Sequence, residues 1–151
     1  MVFLLNNAKK LEFNEIQIGL KYSFSIKITE EIIDQFALIS GDYNPIHTDS
    51  NFAQKTKFKQ KICHGMLLAS FLSQLTGMHL PGEKCLYLSQ TLNFLNPCFI
   101  DDTILIEGEI IRKSESTKIL EIETSISNQN SLILVSGKAK VMFLESDKKS
   151  C

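Results

Sequence analysis

The alternation of apolar and polar residues near the start of the chain predicts a β-strand. Apolar side chains occupy every second position from Tyr22 to Ile28, and lysine or serine fills the positions between them. A period of two is typical of a strand with one buried face. Thr29 follows as a predicted helix N-cap, with two glutamates in the first turn, where the helix dipole favours acidic side chains. Gly41 is placed to end this helix.

A long uncharged stretch from Gly65 to Met78 predicts a second helix of a different character. Its apolar residues are spread around most of a helical wheel, and they are Met66, Leu67, Leu68, Ala69, Phe71, Leu72 and Leu75. A helix that is apolar nearly all round is normally buried on every side. Pro81 and Gly82 are expected to stop it.

Four further strand-like stretches occupy about residues 84 to 95, 103 to 113, 117 to 127 and 131 to 144. Alternation is clearest in the third, and the short connections between the stretches favour antiparallel pairing. The predicted fold class is therefore α+β, with a curved five-stranded antiparallel sheet wrapped around a central apolar helix. The 151 residues suit a single domain whose core covers about residues 18 to 144.

Composition narrows the classes of function. The formal net charge of -1 gives no reason to expect a nucleic acid or a membrane surface as partner, and the uncharged stretch from Gly65 to Gly82 is too polar to cross a bilayer. The four cysteines, Cys63, Cys85, Cys98 and Cys151, lack zinc-type spacing and fit reduced thiols in the cytoplasm. No spacing calls for a metal or a cofactor, so neither is expected.

The segment from Gly41 to His47 carries the most informative chemistry. It places the carboxylate of Asp42 and the imidazole of His47 five positions apart. Pro45 lacks a backbone donor and keeps Asn44 out of the helical region, so the segment is predicted to be a turning loop rather than a regular helix. The two side chains can then converge as an acid–base pair. A purely local interpretation stays open, in which Asp42 and Asn44 form an Asx-type turn and His47 is a packed ring.

A helix that starts at Gly65 would direct free amide donors at an anion. If Asp42 and His47 face these donors across a cavity, the site suits the addition of water to a double bond conjugated to a thioester. That reaction needs an acid and a base, and it needs donors for the thioester oxygen, which the amides of Gly65 and Met66 could supply. Glycine lets the backbone approach a ligand closely, although Gly65 could equally serve tight packing.

Other polar residues have simpler interpretations. Lysines at positions 55, 57, 59 and 61 lie between the two motif segments and would attract the phosphates of coenzyme A or an acidic carrier protein, although such a loop is usually just solvated. His64 is interpreted as a structural residue that holds the loop before the helix. His79 is explained by the helix dipole at the C-terminal end and is left out of the site.

These motifs resemble a known family. The segments Ser40-Gly-Asp-Tyr-Asn-Pro-Ile-His47, Phe52-Ala53 and His64-Gly-Met-Leu-Leu-Ala-Ser70 are similar to those of the MaoC-like, (R)-specific enoyl-CoA hydratases. The resemblance continues through Leu80-Pro-Gly82, Tyr87-Leu-Ser-Gln90 and the stretch from Asn93 to Thr103, and it covers about residues 18 to 144. It implies the hotdog fold, a curved antiparallel sheet around one long helix.

The resemblance also implies an activity and a site. Asp42 and His47 would be the catalytic dyad, the Gly65 amide would be the oxyanion donor, and the reaction would be reversible hydration of trans-2-enoyl-CoA to (R)-3-hydroxyacyl-CoA. Ser73 and Thr76 on the central helix would shape the preference for acyl length. The full set of expected substrate-binding residues is Asn44, Met66, Ser73, Thr76, Lys59 and Lys61. Single-unit members of this family usually form homodimers, so a homodimer with the site near its interface is expected.

Two other functions stay open at this point. A dehydratase of the same fold that works on acyl carrier protein thioesters would use the same residues. A non-catalytic hotdog protein that binds acyl-CoA would have no need for both Asp42 and His47.

Overall fold

The computed structural model describes residues 7–145, which form one six-stranded antiparallel sheet and four α-helices. The strands are β1 (Lys21–Lys27), β2 (Cys85–Gln90), β3 (Asn93–Phe94), β4 (Thr103–Lys113), β5 (Ile119–Ser127) and β6 (Ile133–Phe143). The helices are α1 (Glu30–Ser40), α2 (Pro45–Thr48), α3 (Ser50–Lys55) and α4 (Gly65–Gln74). A short 3₁₀ turn (Phe13–Glu15) precedes β1, and a π-helical turn (Leu75–His79) extends α4.

The sheet order is β1-β4-β5-β6-β2, and β3 also pairs with β6. The predicted α+β class and antiparallel sheet are confirmed, but the sheet has six strands where five were expected. The stretch predicted over residues 84 to 95 is divided at Thr91 and Leu92. Thr91 bonds to Lys138 of β6 through both its amide and its hydroxyl, and its carbonyl lies where a side chain on Gly137 would be. Because Gly137 has no side chain, the chain at Thr91 can approach β6 closely and leave the regular strand pairing between β2 and β3.

The predicted boundaries of α1 are confirmed. The Thr29 hydroxyl accepts a hydrogen bond from the amide of Ile32 at 3.3 Å, and Gly41 ends the helix in the left-handed region with φ of 75°. Glycine adopts that conformation without the steric cost that other residues bear. The chain leaves α1 one residue before Asp42, so the helix end places the candidate acid.

One side of α4 packs into the core of the domain. Leu67, Leu68 and Leu72 are buried, as is Leu75 in the π-helical turn, and they form a cluster with inward-facing residues of the sheet. The expectation that this helix is buried all round is wrong. Met66 is 57 % exposed, and three polar residues on the same side, Ser70, Ser73 and Gln74, are exposed as well. The sheet curves around only part of the helix and leaves this side open.

The helix ends near the predicted stop. The π-helical turn closes at His79, and Leu80 and Pro81 leave the helical conformation. Within residues 7–145, each helix is too short or too polar to cross a lipid bilayer.

Candidate active site

The segment that carries Asp42 and His47 is a loop only in its first half. Pro45 begins the single turn of α2, and the side chain of Asn44 caps it by accepting a hydrogen bond from the Ile46 amide at 3.1 Å. The prediction of a loop throughout is therefore wrong, because proline is well tolerated at the first position of a helix. The Asn44 amide also donates to Oδ1 of Asp42 at 3.1 Å, which is the local Asx-type turn left open above. The turn and the acid–base pair exist together.

His47 has a defined tautomer. Its Nδ1 lies 2.7 Å from the carbonyl oxygen of Ile62, and because a carbonyl only accepts, Nδ1 must carry the hydrogen. Nε2 is then left as the unprotonated nitrogen that can take a proton. Burial lowers the pKa of His47 below its usual value, although the Ile62 hydrogen bond opposes the shift. His47 is therefore suited to act as a general base at neutral pH.

Asp42 stands next to this imidazole. Its side chain is 50 % exposed, and its Oδ2 lies 4.0 Å from Nε2 of His64. One oxygen of Asp42 and one nitrogen each of His47 and His64 all lie within 4.8 Å of one another. One water molecule can bridge polar atoms at such a separation. The group can therefore hold a water between a carboxylate and a base.

Asp42, His47 and His64 are also the one potential set of metal ligands within residues 7–145. The rings of His47 and His64 stack with centroids 3.9 Å apart and planes at 29°. One nitrogen of each ring donates a hydrogen bond to a backbone carbonyl. His47 donates to Ile62, and His64 donates to Asp42. The geometry fits an acid–base pair with a supporting ring better than a metal centre.

The start of α4 supplies amide donors beside the dyad. His64 is the N-cap, and the first backbone bonds of the helix run from Leu67 and Leu68 to the His64 carbonyl. The amides of Gly65 and Met66 precede these bonds and are the donors that a helix start leaves unpaired. A Cβ on Gly65 would lie 2.8 Å from the ring of Phe94. Gly65 therefore packs closely against Phe94, and its amide belongs to the helix start, where donors are left without intrahelical partners.

His47 and Gly65 line the same pocket, which has a volume of about 450 Å³. Its other lining residues are mostly apolar, with Lys57 and Asn96 as polar members, and they are Lys57, Phe58, Ile62, Cys63, Met66, Leu68, Phe94, Leu95, Asn96, Pro97 and Cys98. An apolar pocket with a few convergent polar groups is typical of a site for a small organic ligand. A ligand in this pocket would lie against both His47 and Gly65.

Several residues expected to bind substrate lie outside this pocket. Ser73 is on the open side of α4, and Thr76 is 1 % exposed, with its hydroxyl donating to the carbonyls of Leu72 and Ser73. Lys59 is exposed at a turn, and Lys61 forms an ion pair with Glu30 that leaves its side chain 10 % exposed.

The lysine that does line the pocket is Lys57. It belongs to the alternating lysine run, but alternation alone does not show which lysine faces the ligand. Phe94 was missed as well, because its role depends on β3 lying against Gly65. Met66 lines the pocket as expected, and Asn44 serves as the helix cap described above.

The antiparallel sheet around one helix, with an Asp/His pair beside the helix start, defines a hotdog domain with a candidate active site. A family model described as "MaoC like domain" matches residues 13–131. The chain therefore belongs to the MaoC-like domain family.

Its relatives cover nearly the whole length of the described fold. An (R)-specific enoyl-CoA hydratase of Aeromonas caviae is 38 % identical over 83 % of this chain and 94 % of that protein. A mitochondrial 3-hydroxyacyl-[acyl-carrier-protein] dehydratase of Arabidopsis thaliana is 32 % identical, over 79 % of this chain and 72 % of its own length. The solved structure of an R-hydratase from Pseudomonas aeruginosa superposes with a TM-score of 0.84 at 34 % identity, covering 89 % of this chain and 86 % of the other.

Proposed function

We propose that this protein is an (R)-specific enoyl-CoA hydratase, a hydro-lyase that adds water reversibly to a trans-2-enoyl-CoA and forms the (R)-3-hydroxyacyl-CoA. The observation that carries the proposal is the convergence of the unprotonated nitrogen of His47 and the free amide of Gly65 on one apolar pocket. The 38 % identity to the hydratase of Aeromonas caviae supports the same substrate class.

The proposal gives each group a role. Asp42 and His47 hold one water, and Nε2 of His47 removes a proton as the water oxygen bonds to C3 of the enoyl group. Negative charge moves to the thioester oxygen, where the Gly65 amide and the positive end of α4 stabilise it. The proton taken from the water is returned to C2, so that one water is added in total.

Turnover of crotonyl-CoA tests the proposal. We expect loss of the enoyl absorbance and formation of (R)-3-hydroxybutyryl-CoA, detected by chiral analysis of the product. Formation of the (S)-product would contradict the assignment. Binding of crotonyl-CoA without turnover would instead support a non-catalytic acyl-CoA-binding protein.

A dehydratase of fatty-acid synthesis is a second candidate, because the Arabidopsis thaliana relative acts on acyl carrier protein substrates by its name. Lys57 at the pocket would suit the phosphate of either carrier. The comparison to make is kcat/KM for crotonyl-CoA against the matching acyl carrier protein thioester. A clear preference for the carrier-protein substrate would favour the dehydratase.

We further propose that the protein is a cytoplasmic homodimer. Exposed large apolar residues gather near the open side of α4 and the edge formed by β2 and β3, and they are Met66, Leu86, Leu88, Phe94 and Leu95. Exposed apolar surface of this kind favours association, and a second copy would cover it. Light scattering after size-exclusion chromatography should give twice the 17.1 kDa of one chain. A monomer at micromolar concentration would contradict the proposal.

A further inference from the structure

His64 connects the two halves of the candidate site. It is 2 % exposed and is the N-cap of α4, directly before Gly65. Its Nε2 lies 2.9 Å from the backbone carbonyl oxygen of Asp42, which is 22 positions earlier in the chain. Its ring stacks on His47 at 3.9 Å and packs against Phe36 at 5.0 Å. One buried side chain therefore contacts both members of the dyad and begins the helix that carries the oxyanion donor.

The hydrogen bond to Asp42 differs in kind from the others around that residue. The Asp42 amide donates to the hydroxyl of Ser40, and its carboxylate accepts from the Asn44 amide, so both of these bonds are local. Local bonds set the shape of the turn but do not determine where the turn lies relative to α4. Within residues 7–145, the bond from His64 is the only long-range hydrogen bond to the backbone of Asp42.

His64 belongs to a short segment that forms hydrogen bonds with both members of the dyad. Ile62 accepts the hydrogen bond from Nδ1 of His47, and its amide donates to the carbonyl of Ile46 at 3.2 Å. Two positions later, His64 holds Asp42. The segment from Ile62 to His64 therefore fixes both members of the dyad and then continues directly into the Gly65 amide.

The buried and unpaired Nδ1 of His64 supports the view that His64 is needed for the hydrogen bond that its Nε2 makes. Because the Asp42 carbonyl accepts, Nε2 carries the hydrogen, and Nδ1 is left as a buried acceptor with no hydrogen-bond partner among the described residues. An unpaired buried acceptor is unfavourable for folding, and an apolar side chain would avoid it. A residue needed only for packing would not require this cost.

We propose that His64 is a positioning residue, whose Nε2–H group donates to the backbone carbonyl of Asp42 and so holds the dyad at the distance from Gly65 that water addition requires, while its ring packs against His47. The inference rests on the proposed hydratase activity and extends it. It adds to the expected structural role of His64, which holds the loop before the helix.

Two substitutions separate the donor from the ring. His64→Gln removes the ring but keeps an amide donor at about the reach of Nε2, whereas His64→Met has similar length and no donor. With crotonyl-CoA we expect H64M to lower kcat by about 10²-fold with KM changed less than about threefold, since a misplaced catalytic group costs rate of this order. We expect H64Q to keep kcat within about tenfold of the wild-type value. Both variants lose the ring packing, so a shared folding defect cannot produce a difference between them.

His79→Met is the matched control, because His79 also stacks on an aromatic ring, that of Tyr22 at 4.2 Å, but lies at the far end of the central helix. We expect its kcat to equal that of wild type. Equal losses of kcat in H64M and H64Q, or a kcat for H64M within about threefold of wild type, would overturn the proposal. If H64M does not fold, His64→Phe takes its place, since it keeps a ring without a donor.

A second measurement does not depend on turnover. The chain has three histidines, so ¹⁵N spectra of the imidazole groups can be assigned by single substitutions. We expect wild-type His64 to carry its hydrogen on Nε2, and amide hydrogen exchange over residues 42–47 to be faster in H64M than in H64Q. A hydrogen on Nδ1, or equal exchange in the two variants, would reject the positioning role. Absence of hydration by wild type would reject the hydratase function while these spectra still decide the role of His64.

Discussion

The two ends of the central helix each carry a histidine stacked on another ring, yet within residues 7–145 only one end has the groups proposed to form the active site. At the start, His47 and His64 stack at 3.9 Å, and each has one nitrogen fixed by a backbone carbonyl. At the other end, His79 stacks on Tyr22 at 4.2 Å with planes 14° apart, and Lys9 lies over the same Tyr22 ring. The first arrangement determines tautomers and includes a carboxylate. The second contains a cation and an aromatic ring.

The pKa of the histidine does not separate these two ends. Burial lowers the pKa of both His47 and His79, and the positive charge of Lys9 adds to the effect at His79. His79 lies in the last helical turn, where the helix dipole would favour its charged form, but burial and Lys9 outweigh any such effect on its pKa. In both histidines the lowered pKa reflects partial burial of the imidazole. An active site needs, in addition, an acid beside the base and amide donors aimed at the same ligand.

Removal of the dyad is the strongest test of this difference. We expect Asp42→Asn and His47→Gln each to lower kcat for crotonyl-CoA by about 10²- to 10⁴-fold, because general acid–base groups contribute that much. His79→Gln should leave kcat unchanged. A loss below about tenfold in a folded dyad variant, or a comparable loss in H79Q, would remove the distinction between the two ends.

Gly65 provides the next largest effect. Gly65→Ala keeps the amide but places a methyl group 2.8 Å from the present position of Phe94, so the helix start or the ring must move. We expect kcat to fall by about 10²-fold, as when an oxyanion donor is lost. The double variant Gly65→Ala with Phe94→Ala removes the obstacle, and part of the lost rate should return. If the single variant is fully active, the helix start is not held in place by this contact.

The pH dependence of kcat/KM reports on the base. His47 must be unprotonated to accept a proton, so activity falls as pH decreases through its pKa. Because burial lowers that pKa, we expect the acid limb of the profile to have its midpoint below the usual value of 6.5. The midpoint should be the same in H79Q. A midpoint above 6.5 would show that His47 is not the neutral base described here.

The smallest expected effect concerns stability. His79 has a lower pKa in the folded state than in the unfolded chain, so the unfolded state binds more protons and stability decreases as pH falls through about 6.5. His79→Gln removes this contribution. Its melting temperature should therefore change less than that of wild type between pH 7 and pH 5, with a difference below about 4 °C. Identical pH dependence of the two melting curves would contradict the lowered pKa of His79.

The local elements were predictable from short stretches of sequence. The alternating residues of β1, the Thr29 cap and the Gly41 stop each depend on residues a few positions apart, and all three are confirmed. The motif residues were also predictable as neighbours, because a proline turn and a helix start can be recognised along the chain: Asp42 lies beside His47, and His47 and Gly65 line one pocket.

Contacts between distant segments were not predictable in this way. The break between β2 and β3 depends on Gly137, which lies more than 40 positions away, and the open side of α4 depends on how far the sheet curves. Lys57 could not be separated from Lys59 and Lys61, because the same alternation places one at the pocket, one in solvent and one against Glu30.

The sequence by itself determined which chemical groups this protein has and which local structures carry them, since turns, caps and helix starts are decided by neighbouring residues. Only the tertiary structure decided how those groups are held. The tautomer of His47 depends on the carbonyl of Ile62, and the placement of Asp42 depends on His64, across 15 and 22 positions of chain respectively. Hydrogen bonds of this kind form only after the sheet and helix have packed, because packing brings the two segments together.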